Sequence, residues 1–246
     1  MPTLEDVKRE FSRNEAWKEF GDEWSVAWGN ARVQWYGSIM PRIQRFVPTD
    51  TIVEIAPGMG RWTQFLAGLS NRLEIVDVAP NCIEHCKKRF SHINHIRYHV
   101  NDGLSLPMIE GGGVNFVFSF DSLVHLQWNV LQGYLREVHR ILSPDGVAFL
   151  HHSNLGAIFP SDTLQTHWRG EDVTADLVKQ ECDRIGTGCT QELVNWGNEN
   201  SGYLLDCFSL IGKTVPTGRY ANCGFMAEAT ALRKIASLYV PLKAHR

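Results

Sequence analysis

"VEIAPGMGRW", Val53 to Trp62, decides how the rest of the chain reads. An apolar strand carrying an acid, then a glycine-rich turn, then a helix start is the form of a nucleotide-binding crevice at the carboxyl end of a first parallel strand. Gly58 and Gly60 let the chain turn sharply and leave bare backbone against which a ligand can lie. Spacing excludes two common ligand loops. The dinucleotide fingerprint needs a third glycine, whereas here Ala56, Gly58 and Gly60 are followed by Gln64 and Phe65, and a P-loop needs a GK[ST] that does not follow. What remains is E-x-A-x-G-x-G, from Glu54 to Gly60.

Outward from this turn, short apolar runs alternate with helix-like segments, the pattern of a parallel sheet with crossover helices. The expected strands are 51–56, 72–78, 95–100, 114–120 and 146–152, with helices at about 61–69, 81–90, 127–142 and 174–186. In "NVLQGYLREVHRIL" the residues Val130, Leu131, Leu135, Val138 and Leu142 fall near one helical face, which should pack on the sheet. Two later runs, 189–196 and 203–211, joined by the polar "GNENSG", read as an antiparallel pair closing that sheet. The first fifty residues hold four of the eight tryptophans (17, 24, 28 and 35), as a helical cap on the sheet or a lid over a ligand. The expected organisation is a cap over 1–48, a domain over 49–211 and an extension over 212–246.

The 246 residues, 43% hydrophobic and 21% charged, suit a globular chain rather than a disordered one. A net charge of -3 gives no footprint for a polyanion, so nucleic acid is not the expected partner. No apolar run approaches the roughly 20 residues that span a bilayer and the N-terminus is charged, which points to a cytoplasmic protein. Six cysteines form no CxxC pair; Cys82 and Cys86, one helical turn apart, read as buried reduced thiols rather than half a metal site.

Three further elements follow the glycine turn in order. Asp77 ends the second strand in "EIVDVAP", nineteen residues after Gly58, where its carboxylate, beside Val78, can accept hydrogen bonds from ribose hydroxyls. Asp102 and Gly103 follow the third strand in "HVNDGLSLP", and Asp121 follows the fourth in "FVFSFDSLVHL". Together these resemble the class I S-adenosylmethionine-dependent methyltransferases, with Ala56 in place of the family's commoner first glycine. The resemblance implies an α/β, Rossmann-like sheet of seven strands, mostly parallel with the last antiparallel, and S-adenosylmethionine as cofactor. It implies that Asp102 receives the adenine amino group and that Asp121 lies beside the methionine part. "EIAPGMGRWTQFL", "FSFDSLVHL", "FLHHSNLG" and "HWR" are also similar to a bacterial group often assigned to sugar or polysaccharide O-methylation. The tail from Lys213 does not match that group.

Methyl transfer to a hydroxyl needs a positioned base, and a neutral imidazole suits proton removal near pH 7. His151 and His152 close the fifth strand and point to opposite faces. His151 is expected toward the pocket, His125 is its rival, and His152 is the third candidate. Asn154, His167, Trp168 and Arg169 are expected near a small-molecule acceptor, Arg61 and Trp62 near the cofactor carboxylate or acceptor entrance, and Gln34 and Trp35 in the same neighbourhood. No pair of carboxylates clusters after the fourth or fifth strand, so no metal is expected. A sugar hydroxyl, an amine or carbon acceptor, and a non-catalytic cofactor-binding role stay open, as does a homodimer.

Overall fold

The computed structural model describes residues 3–13, 17, 20–158, 168–196 and 203–238. Helix α1, Leu4–Phe11, starts at a capping box in which Thr3 and Asp6 satisfy each other's backbone amides. A 3-10 turn, Asp22–Trp28, leads into a continuous helical run. It consists of α2 (Ala31–Gln34), a π turn (Trp35–Ile39) and α3 (Met40–Ile43), and Asn30 caps its start by accepting from the amide of Val33.

The alternating part follows as the periodicity predicts. It comprises β1 (Thr49–Ile55), α4 (Thr63–Leu66), β2 (Ser70–Asp77), α5 (Pro80–Arg89), β3 (Ile96–Val100), β4 (Val114–Ser119), α6 (Trp128–Ile141) and β5 (Leu142–Ser153). Then come α7 (Ala175–Arg184), β6 (Gly188–Val194), β7 (Asp206–Gly212), β8 (Gly218–Asn222) and α8 (Phe225–Leu238). Pro80 fixes the first turn of α5, where its missing amide proton costs nothing, and Lys87, Lys88 and Arg89 face the negative end of the helix dipole.

The strands form one sheet in the order β3-β2-β1-β4-β5-β7-β6-β8. β1 to β5 run parallel, and β7 lies antiparallel between β5 and β6. The sheet therefore has eight strands where seven are expected. The added strand, β8, comes from the segment read as an extension and pairs parallel to β6. Its sequence, Gly-Arg-Tyr-Ala-Asn, has no apolar alternation because polar side chains hold it at the edge. Tyr220 and Asn222 donate to Glu192, and Arg219 donates to the side-chain oxygen of Gln191.

The period of two divides the core between the faces. Ile52, Phe116, Phe118, Phe149 and Phe208 pack with Trp28, Trp35, Ile39 and Ile43 of the N-terminal run, Ile83 and Phe90 of the α5 region, and Phe225 of α8. Val53, Val117, Ala148 and Leu150 pack on the other face against the α6 stripe of Val130, Leu131, Leu135, Val138 and Ile141. All parallel strands thus end at one edge, where the loops carrying Ala56, Asp77, Asp121 and His151 converge. Among the described residues no helix is long and apolar enough to cross a membrane, and the "GNENSG" link, 197–202, lies outside them.

Candidate active site

The turn after β1 is built on unusual backbone. Ala56 and Gly58 both sit at φ 56°, and Gly60 at 86°. Asp77 ties this turn to β2, its carboxylate accepting from the amide of Gly58 at 3.1 Å and of Ala79 at 2.8 Å. Burial raises the Asp77 carboxyl to about 6 despite those two bonds. Glu54, under the turn, accepts from the Thr63 hydroxyl at 2.6 Å, and burial raises it further, to about 8.

The two glycines face opposite ways. A Cβ on Gly58 would lie 2.3 Å from the Trp17 ring, in the cavity above the sheet edge; one on Gly60 would lie 2.5 Å from Phe90, inside the core. The Trp17 ring therefore covers the cavity face of Gly58, while Gly60 is required for the packing of α5.

That cavity has a volume of about 80 Å³ and is lined by Ala56, Gly58, Asp77, Val78, Gly103 and Asp121, among others, with Leu4, Val7, Phe11, Trp17 and Trp24 from the N-terminal segment. It is smaller than the roughly 300–1,000 Å³ usual for small-molecule sites, with the Trp17 ring packed against Gly58. A second, wider cavity of about 590 Å³ is lined by Glu10, Glu23, Trp168, Arg169 and Trp196. Phe11, Trp24, Asp121 and His125 line both.

The three histidines differ in what their rings can do. His125 is half-buried, and its Nδ1 lies 3.1 Å from the carbonyl of Trp168. A carbonyl only accepts, so Nδ1 carries the proton and Nε2 presents a lone pair. Burial, opposed by Asp121, lowers its pKa and keeps the ring neutral near pH 7. His151 is fully buried with both nitrogens engaged: Nδ1 accepts from the amide of Asp121 at 3.1 Å, and Nε2 lies 3.1 Å from Asp206 Oδ2. His152, on the other face, donates to the carbonyl of Ser153 and accepts from Ser209, and burial pushes it down to about 4.

The remaining expected residues divide. Trp168 and Arg169 line the second cavity, and Arg169 makes a two-point pair with Asp206 at 2.6 and 2.7 Å. Arg61 lines neither cavity; its guanidinium pairs with Asp121 at 2.7 Å and lies over Trp62. Trp62, Gln34 and Trp35 are buried, Trp35 stacked on Phe65 with ring centroids 4.9 Å apart. Asn154 joins the amide of Ala175 to the carbonyl of Leu204. The Asp102 carboxylate closes its own turn, accepting from the amides of Leu104 and Ser105 and the Ser105 hydroxyl, while Gly103 reaches the cavity. His167 lies outside the described residues.

Sequence reasoning did not single out Phe11, Trp196 or Asp206. Asp206 carried a readable signal, an acid within the apolar run "YLLDCFSLI".

Residues 52–146 match the family model of a methyltransferase domain. Over 171 residues the chain is 28% identical to the non-reducing polyketide synthase mapC of Penicillium roqueforti, covering 61% of this chain but 7% of that one. Among solved structures, the DhpI-SAM-HEP complex aligns with a TM-score of 0.55 at 16% identity, covering 85% of this chain and 94% of that one. The CurJ carbon methyltransferase aligns with a TM-score of 0.51 at 13% identity, covering 70% and 51%. Residues 52–146 thus match a methyltransferase domain in sequence, and the fold as a whole is shared with the DhpI-SAM-HEP complex.

Proposed function

We propose that the chain transfers the methyl group of S-adenosylmethionine to a hydroxyl of a small polar acceptor, a sugar or glycan unit, with His125 removing the proton. The observation that carries this reading is that the two cavities meet at Asp121 and His125. The first adjoins the cofactor motif: Ala56 and Gly58 line it, and Asp77 offers a buried carboxylate at its wall. Ala56, Gly58, Asp77, Val78, Gly103 and Asp121 would hold it. When bound, the cofactor supplies an electrophilic methyl for in-line displacement. The chain's own work is to hold the acceptor oxygen at the junction, exclude water with Phe11 and Trp24, and take the hydroxyl proton on His125 Nε2. Trp24, Trp168 and Trp196 give a sugar ring flat faces, and Glu10, Glu23 and Arg169 give its hydroxyls polar partners. In this reading residues 49–211 are the catalytic domain, 1–48 cap both cavities and 212–246 extend the sheet edge.

A carbon or amine acceptor is the second reading, favoured by the likeness to the CurJ carbon methyltransferase. The test is calorimetric titration with S-adenosylhomocysteine, followed by transfer of labelled methyl from the cofactor to a panel of sugars, amines and ketides. Tight binding with labelled sugar ether supports the proposal. No binding sinks the methyltransferase reading, label in an amine or carbon product replaces the acceptor, and binding without transfer favours a cofactor-binding partner protein.

A further inference from the structure

Asp121 is one of four described non-glycine residues at positive φ, at 62°, and it borders both cavities. A side chain in that conformation persists only where its surroundings over-determine it. Three contacts do so. The Arg61 guanidinium holds the carboxylate at 2.7 Å. The next residue, Ser122, donates its hydroxyl to the carbonyl of Ala56 at 3.0 Å, joining the two left-handed turns. The amide of Asp121 donates to His151 Nδ1 at 3.1 Å.

His151 is itself immobilised. Its Nε2 faces Asp206, and Asp206 is clamped by Arg169 on both oxygens. Its ring lies between Phe120, Trp196 and Phe208, with centroids 4.9, 4.7 and 4.9 Å away. An amide donor fixes the proton of His151 on Nε2, and the Asp206 carboxylate accepts it there. With Nδ1 filled by a backbone donor, the ring has no lone pair to offer an acceptor.

We propose that His151 is a positioning residue. Through Nδ1 it holds Asp121 in the left-handed turn that sets the wall between the two cavities, and the Asp206–Arg169 pair orients it from the acceptor side. The assignment rests on the methyltransferase reading only for its effect on turnover; its effects on tautomer and ligand affinity stand apart from it.

The side-chain oxygen of asparagine can take the place of Nδ1, and the amide of glutamine the place of Nε2. His151→Asn therefore keeps the acceptor for the Asp121 amide and loses the donor to Asp206; His151→Gln does the reverse. Calorimetry with S-adenosylhomocysteine should give an affinity within threefold of wild type for His151→Asn and at least tenfold weaker for His151→Gln. His151→Asn should also retain at least a tenth of any turnover. Nitrogen-15 spectra of the histidine-labelled wild-type protein should place the His151 proton on Nε2, a readout independent of folding in the variants. Equal affinities in both variants, or a proton on Nδ1, overturn the proposal. Loss of turnover beyond a hundredfold in both variants with unchanged affinity makes His151 the base instead. Absence of transfer by wild type would count against the methyltransferase reading alone.

Discussion

Alanine at Gly58 and alanine at Gly60 should have opposite consequences. At Gly60, φ of 86° lies outside the left-handed well that a side chain tolerates, and the added Cβ would meet the Phe90 ring at 2.5 Å and Cys86 Sγ at 3.3 Å. Both neighbours are buried where α5 packs on the sheet. The strained backbone costs about 1–2 kcal/mol and overpacking a core about 1–3 kcal/mol, so Gly60→Ala should lose roughly 2–5 kcal/mol of stability. At Gly58 the φ of 56° falls inside that well, and the obstructing atoms are the far end of the half-buried Trp17 side chain. The loss there should stay near 1–2 kcal/mol. On the proposed function the new methyl would instead stand where the cofactor is to lie, weakening S-adenosylhomocysteine at least tenfold, about 1.4 kcal/mol. Urea denaturation and calorimetric titration read the two quantities. The reasoning fails if Gly58→Ala is the less stable variant, or if it binds S-adenosylhomocysteine within twofold of wild type.

His125→Ala should cut turnover about 10²–10⁴-fold, the usual contribution of a positioned base, with S-adenosylhomocysteine affinity held within tenfold; a turnover loss under fivefold removes His125 as base and favours a carbon or amine acceptor. Burial raises the Glu54 carboxyl from 4.5 to about 8, so the stability its neutral form contributes is full below pH 4.5 and lost as pH rises through 8. Glu54→Gln should therefore gain stability over wild type progressively across that window, by roughly 4–5 kcal/mol at most; urea denaturation at pH 5, 6.5 and 8.5 giving a constant difference would contradict it. Asp77, raised to about 6, should bind ribose hydroxyls as the carboxylate, so S-adenosylhomocysteine affinity should fall about tenfold for each pH unit below 6. Equal pH slopes in wild type and Asp77→Asn would place that dependence on another group.

The parallel sheet was legible because burial on both faces writes long apolar runs, as in "TIVEI" and "VNFVFS", and each run ends at a turn with its own chemistry. β8 was not legible for the complementary reason. An edge strand held by Tyr220, Arg219 and Asn222 pairs polar side chains with polar partners while staying largely exposed, and no period marks it.

The same distinction separates what could be read of the site from what could not. Asp77 and Asp121 are fixed by where a strand ends, so position along the chain predicts position at the sheet edge. A glycine or a histidine is fixed by what stands opposite it, and that is set by other elements. Gly60 looks like Gly58 until the Phe90 ring of the α5 region occupies one side of the turn. His151 reads as a base from its strand alone, and β7 then brings Asp206 beside it: the antiparallel register sets Ser153 opposite Asp206 and His151 opposite Phe208. The acid and the aromatic wall that define the His151 ring thus arrive from a strand fifty-five residues further on. An Asp206→Asn variant, removing the buried carboxylate that Arg169 and His151 share, should accordingly lose about 3–5 kcal/mol. Thermal and urea unfolding check this, and a loss below 1 kcal/mol would mean that the strand pairing, rather than the ion pair, carries this corner of the site.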